Sequence, residues 1–300
     1  MIRAQKPQIK AVAIYTHNKP SKEKEEAAFL EWLLVFLKER GVKRVNGDVR
    51  TLSLLKNKIS LINDDAPYDL KIGIGGDGTI LKMIRTLQRK DGYILGINFG
   101  TLGFLSELQP DTAENGLKKV FQGKFYTDER MLLKAFVWRK NVRGEKEKIF
   151  RAYALNDLVF GHGGLARLTN FKVRVNRRNL STYRADGLIF ATPTGSTAYS
   201  LSAGGPIVSH ALDCVVVTPV SPHRLTHRPI VLPASRALNM EFDARAETIS
   251  LTVDGQLHFS LKTTDEITIQ AANRRAKFIR MKEHHFFRTL RNKMGWGEKK

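Results

Sequence analysis

The chain has a single cysteine, Cys214, so it can build neither a disulfide framework nor a cysteine-based metal site. Set in the run CVVVTP, that thiol reads as a small buried core residue rather than a nucleophile. No apolar run reaches the roughly 18 residues of a membrane-spanning helix, and nothing is expected to cross a bilayer. The start, MIRAQKPQIKAVAIYTH, holds only a short apolar stretch and is expected to be a first β-strand, not a signal peptide. The expected compartment is the cytoplasm. Acidic residues are scarce: 29 stand against 50 Lys and Arg, a formal net charge of +21 over 300 residues. Such an excess favours anionic partners such as nucleic acid, phosphorylated metabolites or polyphosphate. The basic residues are spread along the chain, with local clusters at KNVRGEKEK, RVNRR and NRRAKFIRMK. No RNA- or DNA-binding motif and no aromatic interleaving accompany them. A solvated basic surface is therefore expected, and a nucleic-acid partner is not. The segment HRLTH places His223 and His227 four apart, but lacks the glutamate of a zinc helix and is flanked by Pro222 and Pro229. It reads as two surface or hydrogen-bonded histidines, and no metal-ligating residues are assigned.

What is present is globular in composition, at 42% hydrophobic and 26% charged residues. In the first hundred residues strand-like and helix-like runs alternate. IKAVAIYTH is strand-like, SKEKEEAAFLEWLLVFLKERG is helix-like with Ser21 as N-cap and Gly41 as the stop, DLKIGI is a strand, GTILKMIRTLQRK a helix and GYILGINF a strand. This alternation predicts a mostly parallel sheet covered by helices. After GTLGFLSELQP, one short helix near DTAENGLKKVFQG is followed by many short strand candidates. These include KIFRAYALNDLVFG, STYRADGLIFATP, CVVVTPV and ETISLTVDG, separated by Gly, Pro and Asn turns as in an antiparallel sandwich. The tail HHFFRTLRNKMGWG returns to helical spacing, with Phe286, Phe287, Leu290 and Met294 on one face. The predicted organisation is an α/β domain over 1–108, a β-sandwich domain over 109–271, and a segment over 272–300 whose helix packs back on the first domain.

The stretch DLKIGIGGDGTILKMIR (Asp69 to Arg85) contains G-I-G-G-D-G, which fits the dinucleotide pattern G-x-G-x-x-G. A strand, a glycine-rich loop and a helix start place backbone N–H groups where an anion can sit. The rest of a dinucleotide site is missing, because Asn98 stands where an acidic residue should hold the ribose, about 20 positions on. The Walker pattern is absent, as are the protein-kinase motifs H-R-D, D-F-G and V-A-I-K. Asp77 would repel a bound pyrophosphate unless something compensates. Mg²⁺ bridging it to phosphate would do so, and so would a substrate hydroxyl whose proton it accepts; both belong to phosphoryl transfer. The alternative is a turn-shaping or helix-capping aspartate. The loop alone leaves these readings open.

A second constellation lies in YRADGLIFATPTGSTAYSLSAGGPIV (Tyr183 to Val208). It is dense in small and hydroxylated residues: Thr192, Thr194, Ser196, Thr197, Ser200 and Ser202, with Gly195, Gly204 and Gly205 among them. Small residues let a flat ligand approach the backbone, hydroxyls supply hydrogen bonds, and Tyr199 offers a ring face. The nucleophile pattern G-x-S-x-G is absent.

GGDGT (Gly75 to Thr79), LND (Leu155 to Asp157), DGLIFATPTGSTAYSLSAGGP (Asp186 to Pro206), DGQ (Asp254 to Gln256) and the ending KMGWG together resemble the NAD kinase family, over about Ala11 to Gly297. GGDGT alone is shared with diacylglycerol, sphingosine and phosphofructokinase-type kinases and fixes only that superfamily. The resemblance implies a phosphofructokinase-like α/β domain followed by a β-sandwich. It also implies transfer of a terminal phosphoryl group from ATP, or polyphosphate in some members, to the 2′-hydroxyl of the adenosine ribose of NAD. Carried over by position, Asp77 would accept the proton of that hydroxyl. Gly75, Gly76, Gly78 and Thr79 would line the donor phosphates with Mg²⁺, and Asn156 and Asp157 would hold ribose and base. Arg184 and Asp186 would meet the nicotinamide side, Thr197, Ala198, Tyr199, Ser200, Leu201 and Ser202 would wrap the adenosine, and Gln256 would complete the pocket. Arg167 stands where the family often presents a residue from a neighbouring subunit, which implies a homo-oligomer, dimer or tetramer. One departure is the Asn156-Asp157 pair, where Asn-Glu is commoner: aspartate keeps the carboxylate but shortens its reach by a methylene. The competing readings are a lipid or sugar kinase of the same superfamily, and a non-catalytic NAD- or nucleic-acid-binding regulator.

Overall fold

The computed structural model describes all residues except 1, 4–6, 17–22, 64–65, 87–91, 102, 163–167, 244–248, 282–289, 292 and 296–300. The chain packs as two compact units, one of residues 1–129 and 276–300, the other of residues 130–275.

The first unit contains β1 (Ile2–Arg3), β2 (Ala11–Thr16), α1 (Glu23–Glu39), β3 (Arg44–Gly47), α2 (Val49–Leu54), β4 (Ser60–Leu61), β5 (Leu70–Ile74), α3 (Asp77–Thr86), β6 (Tyr93–Ile97) and α4 (Pro110–Phe121). Strands β6, β5, β2, β3 and β4 lie side by side in that order, every neighbouring pair parallel. The near-continuous apolar runs of β2 and β5 follow from burial on both faces of a parallel sheet. Helix α1 presents Leu30, Leu33 and Leu37 to the core at helical spacing. It ends where the sequence expects: Gly41 sits at φ 76°, its N–H donates to Lys38 O and the Val42 N–H to Leu37 O, a Schellman cap. Ser21, the expected N-cap, lies outside the described residues. The segment β3–α2–β4 has no counterpart in the sequence reading; it is fixed by Asp48, whose side chain accepts from the Thr51 N–H at the start of α2.

A boundary after residue 108 does not follow the packing. Ala113, Leu117 and Val120 of α4 bury themselves among the core of the first unit, so that unit extends to residue 129. Beyond Ala276 the chain is again part of it, with Lys277 and Phe278 paired in parallel to Tyr93 and Ile94. In the tail, residues 290–291 and 293–294 are helical and Leu290 is buried, while Phe286 and Phe287 lie outside the described residues.

The second unit is an antiparallel β-sandwich. Its elements are β7 (Tyr126–Lys140, shared with the first unit), β8 (Lys146–Ala154), β9 (Asp157–Gly161), β10 (Thr169–Val175), β11 (Arg178–Ala185), β12 (Gly187–Ala191), a 3₁₀ turn (Gly195–Thr197), α5 (Tyr199–Ser202), β13 (Cys214–Val220), β14 (Ile230–Pro233), β15 (Leu238–Asp243), β16 (Ile249–Val253), β17 (Leu257–Leu261) and β18 (Glu266–Arg280, also shared). One layer runs β14-β13-β12-β9-β16-β17. The other contains β11, β10, β15 and β18, with the β7–β8 hairpin. Alternating residues of both layers interdigitate, Phe160, Phe190 and Val217 from one and Val137, Phe171 and Ile269 from the other. Two stretches read as single strands are broken in the structure. KIFRAYALNDLVFG splits at Leu155-Asn156, and STYRADGLIFATP splits at Asp186. Both breaks fall on residues singled out for function.

Candidate active site

In the first unit the chain leaves β5 at Ile74 and enters α3 at Asp77 through two glycines. Gly75 adopts φ 143°, a conformation open only to glycine without strain, while its N–H stays tied to Ile97 O at 2.8 Å. A Cβ on Gly76 would meet no atom within 4 Å, so this side of the turn faces open space. Asp77 is the first residue of α3, where the helix end favours a negative charge. Its carboxylate accepts two backbone N–H groups from a distant loop, Phe104 at 2.8 Å and Leu105 at 3.1 Å. Each oxygen thereby spends one lone pair on the protein and keeps capacity for another donor. The loop can approach because residue 103 is glycine: a Cβ there would lie 2.0 Å from Asp77 Oδ1. Thr79 is buried at 3% exposure and its hydroxyl makes no hydrogen bond. An orphaned hydroxyl in the first turn of a helix, beside a glycine turn, is the donor set that phosphate oxygens and their cation would complete. Among the described residues no group of three or more His, Cys, Asp or Glu is placed to hold a metal ion.

In the second unit the organising residue is Asp254, in the turn between β16 and β17. Asp254 and Gly255 both take positive φ, 49° and 65°, and the Gln256 N–H closes the turn on Val253 O at 3.0 Å. The turn carries the Asp254 carboxylate inward, to 6% exposure, where it accepts three successive N–H groups: Leu155 at 3.1 Å, Asn156 at 2.8 Å and Asp157 at 3.2 Å. The Asp254 N–H in turn donates to Asp157 O at 3.0 Å. The other side of the segment is held by the Thr192–Gly195 stretch. The Thr192 N–H donates to Asn156 O at 2.8 Å, the Thr192 hydroxyl donates to Leu155 O, and a Cβ on Gly195 would sit 2.0 Å from Asn156 O. Asp157 is buried at 4% exposure, and its carboxyl is pushed up to about 7, first by desolvation and then by the charge of Asp254.

Comparison with known proteins bears on both halves. The family model of the ATP-NAD kinase N-terminal domain matches residues 37–125, and that of the ATP-NAD kinase C-terminal domain matches residues 155–281. The NAD kinase of Syntrophotalea carbinolica is 42% identical over 231 residues, covering 77% of this chain and 79% of that protein. The chain belongs to the NAD kinase family. The NAD kinase of Geobacter sp. strain M21 is 39% identical over 279 residues, 91% of this chain and 94% of that one. Among solved structures, yeast NADH kinase complexed with NADH superposes with a TM-score of 0.86 at 26% identity, covering 99% of this chain and 90% of that one. An NAD kinase from Archaeoglobus fulgidus in complex with ATP gives 0.67 at 25% identity, covering 95% and 97%.

The residues expected from the family's motifs are not equally placed. Gly75 and Gly76 form the turn and Asp77, Gly78 and Thr79 the first residues of α3, one continuous stretch. Asn156, Asp157, the Thr192–Ser202 stretch and Gln256 gather at one end of β9 and β12, where Asp157 pairs with Ala191 and Val253 with Leu158. Arg184 and Asp186 lie before the opposite end of β12, about 14 Å away for a five-residue strand. Within one chain they are not part of the same cluster. Arg167 lies outside the described residues. The Ser200 hydroxyl is buried against Thr218 Oγ1 at 2.9 Å, a bond that fixes α5 within the Thr197–Ser202 stretch. The Ser196 hydroxyl is likewise engaged, bonding Pro193 O and Val208. Tyr199, 47% exposed, does offer its ring. Asp254 stands in the DGQ motif but was given no role, and Gly103 was not singled out, because each acts on a residue far away in sequence. The D-G pair at a hairpin turn was the available signal for Asp254.

Proposed function

We infer that the protein is an NAD kinase, transferring the terminal phosphoryl group of ATP to the 2′-hydroxyl of the adenosine ribose of NAD to give NADP. The observation that carries the reading is Asp77, a half-buried carboxylate fixed by two backbone N–H groups at the mouth of a glycine turn. Such a group is oriented before substrate arrives and retains lone pairs for a hydroxyl proton. As the 2′-oxygen attacks the terminal phosphorus, Asp77 takes its proton, the bond from phosphorus to the bridging oxygen breaks, and ADP leaves.

The backbone of Gly75–Gly78 and the Thr79 hydroxyl hold donor phosphates; Mg²⁺ bound with those phosphates would supply charge neutralisation for the transfer. In the second unit Asn156 and Asp157 face the ribose and base, Thr197–Ser202 border the adenosine, with Tyr199 supplying the ring, and Gln256 closes that side. An aspartic acid near neutrality at position 157 can donate as well as accept, which suits a partner rich in hydroxyls. Arg184 and Asp186, distant from this cluster in one chain, and Arg167 act on the nicotinamide side of a neighbouring copy in a homo-oligomer. Among the described residues no helix is long and apolar enough to cross a membrane. The protein works in the cytoplasm.

The test is incubation with NAD, Mg²⁺ and either ATP or polyphosphate, reading NADP by an NADP-specific dehydrogenase. NADP formed with either donor supports the reading and identifies the donor. No product with both would sink it. The lipid or sugar kinase alternative is not favoured, since the curated relatives at about 40% identity are NAD kinases.

A further inference from the structure

Among the described residues the largest fully buried side chain is a charged one, Arg280, at 0% exposure within the first unit. Its guanidinium meets two carboxylates, Asp128 through Nε at 3.4 Å and Glu107 through Nη1 at 3.2 Å. These two already outnumber its single charge, so charge balance does not require further acceptors. Yet the guanidinium also donates to three successive backbone carbonyls: Phe104 O through Nη2 at 3.2 Å, and Leu105 O and Ser106 O through Nη1 at 3.3 Å. These carbonyls belong to the loop whose N–H groups hold Asp77.

One peptide group is shared outright. The carbonyl of Phe104 and the N–H of Leu105 are the two ends of a single planar amide. Arg280 takes the oxygen, and Asp77 takes the hydrogen at 3.1 Å. A cation on the oxygen of an amide polarises it and strengthens the N–H as a donor, and a chain of this kind orients every member. The loop has little freedom to adjust otherwise. The Gly103 N–H is bonded to Ser106 Oγ at 2.6 Å, and the N–H groups of Glu107 and Leu108 are both bonded to Gly96 O, at 2.9 Å and 3.1 Å.

We propose that Arg280 is a positioning residue for Asp77, acting through the Phe104–Leu105 peptide group that lies between guanidinium and carboxylate. This rests on Asp77 being the proton acceptor of the kinase reaction. Arg280 touches neither substrate nor reacting atom; it sets the plane and reach of the amide that aims the carboxylate. A lysine in its place keeps the charge but lacks the planar fork needed to hold three carbonyls and two carboxylates at once.

The experiment compares Arg280→Lys with Asp128→Asn. The second removes the charged partner of Nε and leaves the Nη2 bond to the shared peptide in place. Both are measured for kcat, for KM toward NAD and ATP, for thermal midpoint, and for the NMR shift of the Leu105 amide proton. Arg280→Lys is expected to lower kcat at least tenfold, the scale of a small misplacement of a reacting group, with both KM values within twofold and the Leu105 amide proton moved upfield. Asp128→Asn is expected to lower the thermal midpoint while kcat stays within twofold and the amide proton stays in place. The proposal is overturned if Arg280→Lys keeps kcat within twofold or leaves the Leu105 amide unmoved. It is equally overturned if Asp128→Asn loses kcat in step with stability, a result that decides the matter even where Arg280→Lys does not fold. The wild type in the same assay separates the two levels. Failure of the wild type to form NADP strikes the proposed function, whereas the amide shift reads the relay with or without turnover.

Discussion

Asp77 and Asp254 are both aspartates whose side chains accept backbone N–H groups from segments distant in sequence, and the resemblance ends there. Asp77 takes two such donors from residues 27 and 28 positions away and remains half-buried at the edge of an open turn. Asp254 takes three donors from residues 97 to 99 positions away and is almost wholly buried. A carboxylate satisfied by the protein on every side is scaffold. One held firmly but incompletely is available for chemistry. The number of donors and the degree of burial, rather than residue type, separate the two roles.

The comparison breaks most sharply at Asp77. Asp77→Asn keeps size and shape but cannot take a proton, and is expected to lower kcat by about 10²–10⁴-fold while the Kd for NAD, read by calorimetry, changes little. A variant retaining most of its turnover would return Asp77 to the class of turn-shaping residues. Asp254→Ala should act the other way round. Three buried N–H groups lose their acceptor, so stability falls by roughly 3 kcal/mol or more, seen in denaturant unfolding. The loosened Asn156-Asp157 segment should raise KM for NAD more than it lowers kcat.

Gly103→Ala tests the approach of the loop to Asp77. Its Cβ would fall 2.0 Å from Asp77 Oδ1, so carboxylate or loop must shift. An expected loss of about 10–100-fold in kcat, with small change in thermal midpoint, would be read in steady-state kinetics and a melting curve. The smallest effect concerns Asp157. Its carboxyl is raised from 3.8 to about 7 in the fold, so the protonated form is favoured there; the stability this contributes is full below about 3.8 and is lost as pH rises through about 7. Asp157→Asn, which cannot ionise, should therefore melt a few degrees above the wild type at pH 8, with the gap narrowing toward pH 5.

The turn Gly75–Thr79 was legible in the sequence because strand, glycines and helix start are contiguous, and local chemistry decides them. The change from alternating elements to a sandwich was legible for the same reason: periodicity and turn residues act over a few positions. What escaped depends on pairings the linear order hides. The hydroxyls of Ser196 and Ser200 look unengaged in the sequence, but the fold ties Ser196 to Val208 and Ser200 to Thr218 of β13. The break at Leu155-Asn156 looks like the middle of one strand until Asp254, about a hundred residues later, takes its N–H groups. Arg280 looks like one member of a basic run, NRRAKFIRMK, and only burial distinguishes it from its neighbours. Helix α4 was recognised as a helix but assigned to the other side of a boundary, because no local feature says which core an amphipathic face will join.

The grip of Asp254 on Leu155–Asp157 is made wholly through main-chain atoms. Every amino acid except proline brings the same N–H to those positions. Architecture and recognition are thereby uncoupled at this point of the molecule. Mutation can revise what the loop reads, at positions 156 and 157, while the three N–H bonds that hold it are kept. A lineage could drift here between related acceptors, and a protein engineer could follow, with the frame kept constant throughout.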